Sequence, residues 1–278
     1  MDVFRDKVSL FTGAASGIGE ALALALHQRG AKVIAADIDI KALLKNSTGT
    51  RQIGQTIRAV QLDVTDYEAF KQVIDDAVSR EGRLDYIFNI AGIAVGGEIR
   101  DLEIEHWRAV LNVNLYGVIN GSILAYKVMA KQGFGHIVNM SSIEGIMPFP
   151  ATVPYVASKF AVMGLSQGLW VEGTDLGVKV SVVCPGFVKT PIFDVTPLVN
   201  LDRQEAMKSL DKLEQFSITP EKCASIILRA VAKNKPLIPV TSFVYLLWWL
   251  VRIKPSLVMD LVRRDFNKIR FKARIGKN

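Results

Sequence analysis

Residues 7–19 read Lys-Val-Ser-Leu-Phe-Thr-Gly-Ala-Ala-Ser-Gly-Ile-Gly. An apolar run ends at Thr12, three glycines follow with G-x-x-x-G-x-G spacing, and a helical pattern begins at once. A strand that feeds a helix through glycines can bring its backbone close to a pyrophosphate, whose charge then sits on the positive end of the helix. A glycine cluster alone is a weak signal. Its position between a first strand and a helix predicts a dinucleotide site, built by Gly13, Ser16, Gly17, Ile18 and Gly19.

The rest of the chain repeats the alternation. Residues 7–12, 32–36, 58–62, 84–88, 136–140 and 179–183 read as strands, with 236–240 a last one. Residues 18–29, 66–80, 105–131, 154–176 and 220–233 read as helices, the last opened by Thr219 as N-cap and Pro220 in the first turn. Strands apolar on both faces and separated by crossover helices call for a parallel sheet covered on both sides. The fold class is therefore α/β: a Rossmann-type doubly wound parallel sheet in one domain over 1–240, extended by a helical tail over 241–278.

Asp37 closes the second strand, twenty residues after Gly17. A carboxylate there can accept from the adenosine ribose hydroxyls and repels a 2′-phosphate. No arginine stands beside it, and Ser16 rather than a base precedes Gly17, so NAD is favoured over NADP. The other reading of Asp37 is an acid that merely ends a strand.

Composition removes several classes. Half of the 278 residues are hydrophobic and 22% are charged, which excludes disorder. Cys184 and Cys223 are too few for a disulfide framework and have no metal-ligand spacing, and His27, His106 and His136 are scattered, so no metal site is expected. The formal charge of +7 is local: nine Lys/Arg and two Asp lie from Arg252 onward, leaving 25 bases and 25 acids before it. A neutral body with a basic tail argues against a nucleic-acid partner. The opening Met-Asp-Val-Phe-Arg-Asp-Lys has acids among its bases and no apolar run behind it, which predicts no secretory signal and a reducing, cytoplasmic location.

Further motifs then appear in order: Asp63-Val64, Asn89-Ile90-Ala91-Gly92, Asn114-Leu115-Tyr116-Gly117, Ser141-Ser142, Tyr155-Val156-Ala157-Ser158-Lys159 and Cys184-Pro185-Gly186-Phe187-Val188-Lys189-Thr190. With the glycine pattern, this series resembles the short-chain dehydrogenase/reductase family over about residues 5–240. The resemblance implies an NAD-dependent oxidoreductase that interconverts an alcohol and its carbonyl. Tyr155 would be the proton donor and acceptor, Lys159 its partner, Ser142 the group that orients the substrate oxygen, and Asn114 a helix-interrupting residue whose carbonyl extends the relay. Spacing favours Ser142 over Ser141, and Asn114 over Asn112. The resemblance also places Asp63 and Val64 at the adenine, Asn89, Ala91 and Gly92 beside the adenosine ribose, and Pro185, Gly186, Val188 and Thr190 at the nicotinamide end. Ile90 departs from the family's second asparagine in that loop. The family's dimers and tetramers imply a homo-oligomer formed through the two long helices.

The residues themselves support part of this. Tyr155 and Lys159 are four apart and share one helix face. A phenol near pKa 10 is a poor base at neutral pH, and a neighbouring ammonium is expected to lower it.

Two segments remain. Residues 190–218, with Ile192, Phe193, Val195, Leu198, Val199, Leu201 and Met207, read either as a substrate lid covering hydrocarbon or as an ordinary helical hairpin. Covered hydrocarbon implies a fatty, isoprenoid or steroid-like substrate. In the tail, residues 242–253 carry Phe243, Tyr245, Trp248 and Trp249, Pro255 breaks the run, and 256–275 read as a basic amphipathic helix. That combination fits an anionic membrane surface, and fits equally a subunit contact. Two rivals to the overall reading are an NADP-dependent carbonyl reductase and a non-catalytic dinucleotide sensor on the same fold.

Overall fold

The computed structural model describes residues 2–47 and 57–275. Seven parallel strands form one sheet in the order β3-β2-β1-β4-β5-β6-β7: β1 (Val8–Thr12), β2 (Lys32–Asp37), β3 (Arg58–Gln61), β4 (Tyr86–Asn89), β5 (Gly135–Met140), β6 (Val178–Cys184) and β7 (Leu237–Pro239). The central strands are buried along almost their whole length, as their unbroken apolar runs require.

Helices cover both faces. On one, α1 (Gly17–Gln28) and α9 (Pro220–Val231) pack Leu22, Leu26, Ile227 and Leu228 against Phe11, Phe88, Val138 and Val183. On the other, α3 (Tyr67–Glu81) and α5 (Gly117–Gln132) set Phe70, Ile74, Leu124 and Met129 against Leu10, Ile34, Ile87 and Ile137. Local chemistry fixes the helix ends: Asp66 accepts from the Ala69 N–H to start α3, and Gly82 ends it at φ 72°. Because the chain winds from β1 to β2 and β3 on one side and from β4 to β7 on the other, a crevice opens at the carboxyl ends of β1 and β4.

Four features add detail to the sequence expectation. A short helix α2 (Ile40–Ser47) follows β2; its mixed composition carried no clear apolar period. The helix expected over 105–131 is α4 (Ile104–Leu111), a wider π turn over Asn112–Tyr116, then α5. The helix expected over 154–176 is α6 (Val153–Gly173) with a 3₁₀ turn to Leu176. The segment 190–218 holds two helices, α7 (Ile192–Val195) and α8 (Arg203–Glu214).

The tail forms α10 (Ser242–Ile253) and α11 (Pro255–Ala273). Lys277 and the side chains of Leu210, Asp211, Lys212, Leu213, Lys268, Ile269, Phe271 and Lys272 lie outside the described positions. One face of α10 packs onto the body: Val244, Leu247, Trp248 and Val251 join Val162 of α6 and Val182 and Cys184 of β6 in a third apolar cluster.

Candidate active site

The crevice at the strand ends is a cleft of about 870 Å³. At its floor Gly13 and Gly17 adopt φ 66° and 57°, a region open to glycine but strained for other residues. Gly19 is needed for closeness: a Cβ there would lie 2.0 Å from the Gly13 carbonyl oxygen. Asp37 does more than end β2, since its Oδ2 accepts from the Ala15 N–H at 2.9 Å and so braces the glycine loop. Thr12 Oγ1 accepts from the Ile90 and Ala91 N–H groups at 3.0 and 3.3 Å, tying the loop after β4 to the end of β1. Ile90 joins this bond through its backbone alone.

All the expected cofactor residues except Asn89 line this cleft: Gly13, Ser16, Gly17, Ile18, Gly19, Asp37, Asp63, Val64, Ala91, Gly92, Tyr155, Lys159, Pro185, Gly186, Val188 and Thr190. Asn89 is buried beneath it, donating to Asn139 Oδ1 at 2.8 Å and to Ser122 Oγ at 3.4 Å. Its position at the end of β4 sets the loop without presenting its side chain to the cleft. A glycine cradle, a helix N-terminus and an acid at the end of β2 together fit a dinucleotide. Among the described lining residues, the end nearest β2 presents Asp37 and Asp63 and no lysine or arginine.

The expected catalytic residues converge at the other end. Ser142 caps a short turn, its Oγ accepting from the Glu144 N–H at 3.1 Å, and it hydrogen-bonds the Tyr155 side chain. The Ser141 hydroxyl instead donates to the Lys159 carbonyl at 2.8 Å. Lys159 is 2% exposed; its ammonium donates to the Met140 carbonyl at 3.0 Å and lies 5.3 Å from the Tyr155 ring centre. Asn114 sits in the π turn and is fully buried. Its amide clamps Ile93, accepting from the N–H at 2.8 Å and donating to the carbonyl at 2.9 Å, and also donates to Ser158 Oγ at 3.2 Å. A π turn shifts the hydrogen-bond ladder by one residue and is a common device at functional sites.

The electrostatics depart from the expectation for Tyr155. Burial pushes its phenol above the ordinary value, the Glu144 carboxylate adds to the rise, and only the Ser142 hydrogen bond opposes them. Burial also brings Lys159 down to about 8, against the attraction of Glu144 and Cys184. In a buried site the cost of desolvating the phenolate dominates. A phenol that holds its proton is suited to donate one to a carbonyl oxygen.

Glu144 itself was not legible as a site residue. It lines the cleft, accepts from Thr152 Oγ1 at 2.7 Å, and is raised by burial to about 7. Only its position two residues after Ser142 could have drawn attention to it. His106 also reaches the cleft wall, while its Nδ1 accepts from the Glu103 N–H at 2.9 Å to cap α4. His136 instead meets Ser181 Oγ at 2.8 Å inside the core, where burial lowers it to about 3. Cys184 is a buried thiol pushed up to about 12, chemically quiet.

The segment after β6 closes the far wall with Ile192, Phe193, Val195 and Pro197. Arg203 holds it by donating to the carbonyls of Phe193, Asp194 and Thr196. Backbone bonds join it to the loop after β4: Gly96 N–H to Pro197 O at 2.9 Å and Val199 N–H to Gly96 O at 2.8 Å. The end of α11 stitches both together. Glu98, nearly buried, faces Arg270 at 3.1 Å, Arg100 at 3.3 Å and Arg274 at 3.7 Å, and Asp202 N–H donates to Ala273 O at 2.7 Å.

Residues 7–197 match the family model of short chain dehydrogenases. A 3-oxoacyl-[acyl-carrier-protein] reductase of Thermotoga maritima is 38% identical over 80% of this chain and 89% of its own length. A putative oxidoreductase of Mycobacterium tuberculosis is 33% identical over 84% and 86%. Among solved structures, a short-chain dehydrogenase/reductase of Burkholderia phymatum in complex with NAD superposes with a TM-score of 0.81 at 28% identity, covering 92% of this chain and 96% of that one. The model match, these relatives and the seven-stranded parallel sheet agree: the chain belongs to the short-chain dehydrogenase/reductase family.

Proposed function

We propose that the protein is an NAD-dependent oxidoreductase that interconverts an apolar alcohol and its ketone or aldehyde. The observation that carries this reading is the meeting of Ser142, Tyr155 and Lys159 in the same cleft as the glycine loop and Asp37. Bound NAD would supply hydride chemistry that no side chain can perform. Tyr155 exchanges the proton with the substrate oxygen, Ser142 orients that oxygen, and Lys159 holds positive charge beside the phenol. Asn114 fixes the π turn and the Ile93 segment of the wall. The raised Tyr155 phenol holds a proton that it can donate to a carbonyl oxygen.

Asp37 and Asp63 at the adenosine end support NAD over NADP, whose extra phosphate they repel. Ile93, Val95, Ile143, Ile192 and Phe193 along the wall support a hydrocarbon-bearing substrate, and the Thermotoga relative's name describes an acyl substrate. The exposed apolar residues Ile123 of α5 and Phe160, Trp170 and Val171 of α6 support a homodimer or homotetramer through those helices. Two buried free thiols support a reducing, cytoplasmic setting.

NADH formation across primary and secondary alcohols of rising chain length, together with sterols, tests this reading. Turnover should climb with hydrocarbon size and be higher with NAD than with NADP. Activity confined to small polar alcohols would overturn the substrate class, and equal or tighter NADPH binding would overturn the cofactor choice.

A further inference from the structure

Helices α10 and α11 meet at a sharp bend of 116° at Pro255. Their inner faces are spent on the body through Val244, Leu247, Val258 and Val262. Because α10 is held against the core along one side, the pair cannot thread a bilayer in this fold. Its outer side is nevertheless apolar: Leu246 is 66% exposed and Ile253 70%, and Tyr245, Trp249, Leu257 and Leu261 are exposed beside them. Residues 245, 246, 249 and 253 form one helical stripe, continued past the bend by 257 and 261.

Cations border this stripe. Arg252, Lys254, Arg263 and Arg264 are all exposed, with Arg252 stacked 4.3 Å over the Trp248 ring. The acids among them are Asp260, paired weakly with Arg263 at 3.5 Å, and Asp265. Beyond the bend, α11 ends on the Glu98 cluster at the cleft wall. The body carries equal numbers of bases and acids, so the whole formal charge of +7 resides in this tail.

We propose that the outer face of α10 and α11 seats in the plane of an anionic lipid bilayer, with Leu246, Trp249, Ile253, Leu257 and Leu261 in the headgroup–acyl boundary and the bordering cations on lipid phosphates. Charge complementarity selects this occupant: an aromatic and aliphatic stripe edged by bases matches an interface that is apolar beneath and negative above. A second copy of the chain would bring four like cations against four. The site is separate from the catalytic groups, so the proposal does not depend on which reaction they perform.

Co-flotation of the full chain with vesicles tests it, comparing phosphatidylcholine alone with phosphatidylcholine containing a third of phosphatidylglycerol. Wild type should float with the anionic vesicles only, and high salt should release it. Neutralising two exposed cations with Lys254→Gln/Arg264→Gln should weaken binding about 30-fold, from about fivefold per charge. Leu246→Ser/Trp249→Ser should weaken it more than about tenfold. These are surface positions, and thermal unfolding confirms that each variant is folded; if the apolar pair is not, the charge pair still decides. Failure to bind anionic vesicles, equal binding to neutral ones, or charge-neutralised protein that binds like wild type would overturn the proposal. So would a Leu246→Ser/Trp249→Ser protein whose mass by light scattering falls below that of wild type, which would assign the face to contact between copies.

Discussion

Glu144 offers a quantitative check on the electrostatics of the cleft. Its carboxyl is raised from 4.5 to about 7, chiefly by burial, with Thr152 and Lys159 opposing the rise. A folded-state value above the unfolded one means the native protein holds a proton that the unfolded chain has released. Stability therefore falls as pH rises from 4.5 to 7 and stays reduced above that. A shift of about 2.5 units corresponds to about 3 kcal/mol at 1.36 kcal/mol per unit. Glutamine keeps an oxygen for the Thr152 hydroxyl and cannot ionise. Glu144→Gln should accordingly be more stable than wild type by about 3 kcal/mol at pH 8, which for a domain of this size is roughly 6–12 °C in Tm. The advantage should shrink through the window from 7 to 4.5 and vanish below it. Thermal unfolding of both proteins at closely spaced pH values measures this. A Tm difference that stays constant from pH 5 to 8 would refute the reasoning, because it would place the ionised carboxylate in a solvated site.

Three further perturbations address other parts of the cleft. Gly19→Ala should abolish NADH binding by fluorescence titration and destabilise the fold by about 1–3 kcal/mol, because the new methyl would meet the Gly13 carbonyl at 2.0 Å. Asp37→Ala removes the acceptor of the Ala15 N–H and the expected ribose partner; NADH affinity should fall about tenfold, as for one lost charged hydrogen bond, while NADPH affinity falls less or rises. Glu98→Gln removes the charge facing Arg270 and Arg274; since Arg270 is 42% exposed, the cost should be nearer 1–2 kcal/mol than that of a fully buried pair, with faster limited proteolysis at 196–202 as the local sign.

Much of this architecture could be read before any coordinates. Strand and helix periods, the glycine spacing after Thr12 and the acid at 37 are local signals, because a parallel sheet buried on both faces writes itself as apolar runs. Tyr155 and Lys159 are one helical turn apart, but their place after the glycine loop and Ser141-Ser142, rather than that spacing alone, singles them out. Features created by long-range packing were not. A helical period reads straight through the π turn at 112–116, and only the resemblance at Asn114 implied an interruption there; the bond from Ile93 N–H to its side chain is a long-range contact. The rise of Tyr155 reverses the expectation from its neighbour because burial, invisible in the sequence, dominates and the Glu144 carboxylate adds to it. Asn89 belongs to a motif that borders the cleft, yet its side chain turns into the sheet toward Asn139. The Glu98 cluster joins residues more than 170 positions apart, and no spacing announces it. In the tail α10 packs one side on the body and exposes an apolar stripe on the other, a division that composition does not announce.

The measurement that bears most directly on the central claim separates the proton step from cofactor binding. Tyr155→Phe keeps the ring and removes only the hydroxyl that Ser142 meets. With an alcohol that wild type oxidises, the variant should bind NADH as wild type does while NADH formation falls by about 10²–10⁴-fold, the usual contribution of a positioned acid–base group. Turnover within a few-fold of wild type, with binding intact, would contradict the assignment of Tyr155 and with it the proposed chemistry.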